Sequence, residues 1–135
     1  AFTAGFAWFS TVRHSAKGMI IPNEWRPWQE ISFTSAAGKF TLIQRLRSEQ
    51  RFLERVVDEK KSGNYDFRLR QRYRIEMSVP IYRHTGIAAG NEVMLNLNHL
   101  SDSLSFDQNR LFITISQYLS SNLSVQFQFI RLNQR

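Results

Sequence analysis

The chain has no cysteine. Disulfides, thiolate zinc sites and a cysteine nucleophile are excluded together, although the absence names no compartment. Histidine is scarce: His14, His84 and His99 are the whole complement, and no two have the spacing of metal ligands. No apolar run approaches the roughly 18 residues of a spanning helix, so a helical membrane protein is excluded. The opening AFTAGFAWFSTVRH lacks the basic start and apolar core of a signal peptide. Acidic residues are the minority, 11 against 18 lysines and arginines, for a net charge of +7. Such an excess admits nucleic acid, anionic lipid or acidic ligands as partners, and the placement of the charge decides among them.

What the chain has in abundance is alternation. In DFRLRQRYRIEM, residues 66–77, arginine takes every second position (Arg68, Arg70, Arg72, Arg74) and mostly apolar side chains fill the positions between. The same period recurs along nearly all 135 residues, and predicts a single all-β domain of about seven strands: 2–11, 25–35, 39–52, 65–80, 92–99, 109–119 and 123–132. The three prolines, SAAG, GN and SSN are read as breaks. A helix competes over residues 40–61, where Leu42, Leu46, Leu53 and Val57 have helical spacing. Alternation of Arg45, Arg47, Glu49 and Arg51 favours a strand through Phe52, with room for a helical turn in 53–61. Tight links after the second and sixth strands, against long polar ones after the first, third and fifth, give the end-to-end asymmetry of an outer-membrane barrel.

Continuing the alternation separates two faces. One carries Arg26, Trp28 and Glu30; Arg45, Arg47, Glu49 and Arg51; Arg68 to Arg74 with Glu76; Glu92 and Met94; Arg110, Phe112 and Thr114; and Gln126 and Gln128. The other carries Phe2, Phe6, Trp8, Trp25, Phe33, Leu42, Phe67, Ile75, Leu95, Ile113 and Phe127, among others. A soluble sheet turns such an apolar face inward, whereas a membrane barrel turns it to lipid and encloses the polar one. Bulk favours the second arrangement, because one small barrel could hardly hold large apolar side chains from every strand. So does chemistry: arginine mixed with glutamate suits a cross-linked lumen better than a solvated surface. Gln29, Gln44, Ser48 and Gln50 stand against it, falling on the apolar face.

Three segments, NEWRPWQEISF (23–33), GKFTLIQRLRSEQRF (38–52) and FDQNRLFITISQY (106–118), resemble an uncharacterised family of Bacteroidota outer-membrane barrels, domain of unknown function 2490. FRLRQRYRIEMSVPI (67–81) and GNEVMLNL (90–97) lie between them in the family's order. The resemblance runs from about residue 3 to residue 129. It implies an antiparallel up-and-down transmembrane β-barrel in the outer membrane of a Gram-negative bacterium, and it implies no activity and no catalytic residues. Family members are longer, and this chain ends in IRLNQR without a terminal aromatic. The expectation is an incomplete barrel, the C-terminal part of a longer one.

The candidate functional feature is a lumen-lining polar network of Arg45, Arg47, Glu49, Arg51, Arg68, Arg70, Arg72, Arg74, Glu76, Glu92 and Arg110. Glu49 and Glu76, set among arginines, are expected to be ionised and structural, since a general acid needs the opposite environment. His99 with Ser101 or Asp102 is the nearest approach to a hydrolase pair, and adjacency in sequence is poor support for one. No enzyme activity and no cofactor are therefore expected. The arginine excess over Glu49 and Glu76 leaves two uses: a stiffening network closed by acids from elsewhere, or a passive pore favouring small anionic solutes. A soluble nucleic-acid platform needs aromatics and arginines on one face, and here they mostly lie on opposite faces. Expected partners are outer-membrane lipid, lipopolysaccharide and other envelope proteins, with a structural or accessory role.

Overall fold

A computed structural model describes residues 1–15, 18–58, 60–98 and 103–134. The strands are β1 (Phe2–Ser10), β2 (Arg13–Ser15), β3 (Gly18–Ile20), β4 (Asn23–Ala37), β5 (Phe40–Val57), β6 (Lys60–Tyr82), β7 (Thr85–Asn98), β8 (Ser103–Ser120) and β9 (Leu123–Gln134). β2 and β3 pair only with each other. The rest form one antiparallel sheet in the order β1-β4-β5-β6-β7-β8-β9, a meander in which each long strand pairs with the next. β1 and β9 are its edges and do not pair with each other, so the sheet is open.

Each of the seven strands expected from alternation is present, and most run longer than expected. No helical turn forms in 53–58: β5 continues to Val57 and reverses at Asp58, whose φ of 48° suits a tight turn. The polar link expected there is largely the continuation of a hairpin, with Val57 opposite Lys60 and Glu54 opposite Tyr65. Because β4 begins at Asn23, opposite Ser10 of β1, this hairpin tip projects beyond its neighbour. Pro27 is not at a break but inside β4, where β4–β5 pairing lapses between Trp25↔Phe52 and Trp28↔Glu49 without a change of register; a proline has no N–H to give the ladder. Turns at 38–39, 83–84 and 121–122 all lie at one end of the sheet.

The sheet is a single layer, yet one of its faces is buried. Glu49 is 1% exposed and Glu92 4%, while Phe127 and Phe2, on the opposite face, are 72% and 68% exposed. Among the described residues no second layer stacks on the polar side, so the sheet must curl toward it. Ion pairs that skip a strand show the same curl: Arg45 of β5 reaches Glu92 of β7, and Arg70 of β6 reaches Asp107 of β8. The polar face is concave and the apolar face convex.

Two glycines let rings lie flat inside this curve. Gly5 is opposite Trp28, and Gly90 is opposite Phe112. A Cβ on Gly5 would come 2.5 Å from the indole, and one on Gly90 would come 2.3 Å from the Phe112 ring. On these rings rest Arg47, 4.2 Å from the Trp28 centroid, and Arg74, 4.1 Å from that of Phe112, each stacking worth about 0.5–2 kcal/mol. The two modules differ in one respect: a Gly90 Cβ would also meet the Ile75 carbonyl oxygen at 2.5 Å. Gly5→Ala should cost about 1–3 kcal/mol through overpacking, and a double-mutant cycle with Trp28→Leu should recover most of it. Gly90→Ala combined with Phe112→Leu should recover little, because the backbone contact persists. Urea unfolding midpoints report both cycles, and equal recovery at the two sites would contradict this geometry.

Candidate functional site

The concave face is a basin of guanidinium and carboxylate groups. Antiparallel register sets Arg45 opposite Arg74, Arg47 opposite Arg72, and Arg51 opposite Arg68, with only Glu49, opposite Arg70, breaking the series. Like charges directly opposed across strands are destabilising, so the β5–β6 ladder needs acids from outside itself. Neighbouring strands supply them. β4 contributes Glu24 and Glu30, β7 contributes Glu92, and β8 contributes Asp107.

Two carboxylates act as hubs. Glu49 accepts a hydrogen bond from Arg72 Nη1 at 2.8 Å and lies within 3.9–4.0 Å of guanidinium nitrogens of Arg26, Arg47 and Arg70. Glu92 accepts from Arg72 Nη2 at 2.8 Å, with Arg45 at 3.6 Å and Arg110 at 3.7 Å. Arg72 therefore joins the hubs, giving Nη1 to Glu49 and both Nη2 and Nε, the latter at 3.2 Å, to Glu92. At the Asn23 end of β4, Arg51 grips Glu24 with two nitrogens, 2.6 and 3.0 Å, and Arg26 binds the same carboxylate at 2.7 Å. Glu30 takes Arg47 at 2.6 Å, and Glu76 takes Arg74. Arg110 donates to Gln108 Oε1 at 2.9 Å.

Asp107 reaches this basin through a bulge. The β7–β8 register passes from Met94↔Gln108 to Leu95↔Phe106, leaving Asp107 as the extra residue. It meets Arg70 Nη2 at 3.0 Å. Alternation alone gives no sign of it, because a bulge breaks the period of two. Glu30 was legible, since it shares parity with Arg26, whereas Glu24 lies ahead of the strand expected at 25–35 and enters only because β4 begins at Asn23; their reach to β5 depends on pairing order. Among the described residues Arg68 has no acidic partner, and it is exposed.

All eleven residues of the expected network lie on the concave face. Their arrangement suits binding and bracing more than acid–base chemistry. Glu49 is opposite Arg70 and Glu76 opposite Ile43, which separates the two carboxylates by roughly 20 Å along the ladder at about 3.3 Å per residue. His14 lies in β2 and His84 in the β6–β7 turn. His99, Ser101 and Asp102 lie outside the described residues. No group of three or more His, Asp or Glu side chains able to hold a metal occurs among the described residues.

The sequence family described as a protein of unknown function, DUF2490, matches residues 1–135, and the chain belongs to it. No curated protein and no solved structure matches the chain.

Removing one partner of a buried charge network leaves the others uncompensated, at a cost of about 3–5 kcal/mol. Glu49→Gln should fall in that range, because guanidiniums of four strand positions converge on it. Arg68→Ala should change stability by less than about 0.5 kcal/mol. Chemical unfolding of both variants under identical conditions checks the contrast, and comparable losses would refute the partition drawn here.

Proposed function

We propose that this member of the DUF2490 family forms part of the wall of a transmembrane β-barrel in the outer membrane of a Gram-negative bacterium. In this reading the basin faces a wet interior and the protein has a structural or accessory role within the envelope. The supporting observation is the inversion of the two faces, a buried polar face under an exposed apolar one. Soluble monomers rarely expose contiguous apolar patches beyond about 300–600 Å², whereas here each long strand turns large apolar side chains outward. Lipid removes that mismatch, and water does not.

Further support comes from polar groups on the convex face that pair across strands, although Gln50 Oε1 is buried without a partner among the described residues. Gln50 donates to Gln29 at 2.9 Å, Gln71 to Ser48 at 3.0 Å, Tyr73 to Gln44 at 2.8 Å and Asn91 to Asn109 at 2.5 Å. Groups facing hydrocarbon must find partners within the protein. The free edges β1 and β9 carry the same requirement. In this reading further strands, from the same polypeptide or from another chain, complete the wall.

A second reading, a passive pore favouring small anions, is favoured by one observation: guanidiniums outnumber carboxylates in the basin, and Arg68 has no acidic partner among the described residues. Planar-bilayer recording separates the two. A pore should carry current with a reversal potential on the anion side, and Arg68→Glu should move that potential toward cations. A silent bilayer would leave the structural role.

With no native cysteine, single-cysteine scanning is clean. In liposomes, cysteines at Phe112 and Thr114 should react with a water-soluble maleimide only after the interior is made accessible, and those at Leu111, Ile113 and Ile115 should stay protected by lipid. Uniform labelling along residues 111–115, or recovery of the native protein in a detergent-free aqueous fraction, would overturn the membrane assignment.

A further inference from the structure

The convex face is not uniformly filled. Along β7 it carries Ala89, flanked by Met77 of β6 and Ile113 of β8 in the same register row. With a methyl group between two long side chains, a groove opens there, about 630 Å³ in volume and lined almost wholly by apolar atoms. Leu111 and Phe129 extend its far wall. That volume falls in the range of small-molecule sites, about 300–1,000 Å³.

Polar groups gather at one end of the groove. Asn91 is the next convex position on β7 and donates to Asn109 at 2.5 Å. Arg131, opposite Leu111 on β9, also lines the groove. It is exposed and makes no ion pair among the described residues, whereas the basin arginines other than Arg68 have carboxylate neighbours. It is the one lysine or arginine on the convex face of β7, β8 and β9 among the described residues. A guanidinium at a hydrocarbon-facing position is costly and calls for an anionic partner there.

We propose that this groove binds one anionic, phosphate-bearing lipid, its acyl chain lying along Ala89 between β6 and β8 and its phosphate on Arg131. The inference rests on the membrane reading above and adds a defined lipid site to it. Charge complementarity selects the head: guanidinium pairs two-pronged with phosphate oxygens, and the adjoining asparagine amides offer further polar contacts. Apolar lining selects the tail. A second copy of the chain would bring the same unpaired arginine to the contact and leave it unneutralised.

Native mass spectrometry of the detergent-extracted protein, titrated with dimyristoyl phosphatidic acid, tests this. One lipid adduct should form at least about tenfold more readily than with the matching diacylglycerol, and inorganic phosphate alone should give none. Arg131→Ala should reduce phosphatidic acid to the diacylglycerol level. Ala89→Phe, which fills the groove without touching Arg131, should abolish both adducts. Each variant is first checked for its β-sheet circular dichroism. Equal binding by wild type and Arg131→Ala, adducts with free phosphate alone, or a dimer in place of a lipid adduct would overturn the proposal. Cysteine protection in liposomes reads the membrane assignment separately: protection without a lipid adduct refutes the site alone, and an adduct without protection refutes the barrel reading alone.

Discussion

The structure depends on carboxylates held in the curl of a one-layer sheet. Glu49 and Glu92 are almost wholly buried, and a buried carboxylate is tolerable only when charged donors surround it. The flanking strands β4 and β7 hand their acids to the β5–β6 ladder directly, and the curl adds the pairs that skip a strand, Arg45 with Glu92 and Arg70 with Asp107. The network in turn favours the curl, since flattening the sheet would separate Arg45 from Glu92 and Arg70 from Asp107. Shape and charge pairing are one constraint. It also specifies register, because a slip by one residue would carry arginines to the apolar side.

Rings and glycines complete the inner packing. Gly5 and Gly90 clear space for Trp28 and Phe112, and those rings carry Arg47 and Arg74. Arg26 makes a similar contact with Phe9, 4.3 Å from its centroid. The inner face thus behaves as a polar core, filled by stacked cations and salt bridges where a soluble domain would have aliphatic side chains. On the outside, glutamines and asparagines pair across strands, with Gln50 Oε1 left without a partner among the described residues. That arrangement answers the objection raised by Gln44, whose carbonyl accepts from Tyr73.

Much of this was legible in the chain. Strand identity and the division of Arg45 to Glu76 from Phe67, Ile75 and Ile113 follow from a period of two, because the pleat sends successive side chains to opposite faces. Strand ends were less legible. The hairpin through Val57 and Lys60 reads as a polar loop or a helical turn, since solvent-facing arms carry no apolar alternation. Pro27 reads as a break, yet its local ladder interruption is absorbed inside β4. Asp107 was invisible as a basin acid because a bulge leaves no periodic signature.

Alone, the sequence determined that the chain alternates, that its two faces differ in polarity, and that arginine concentrates on one of them. It determined these because side-chain direction in a strand depends only on position along the backbone. Which face lies inside, which acid meets which arginine, and where a groove opens beside Arg131 were decided by the tertiary structure. Those features require strand order, curvature and register together, and they join residues that are far apart in the chain.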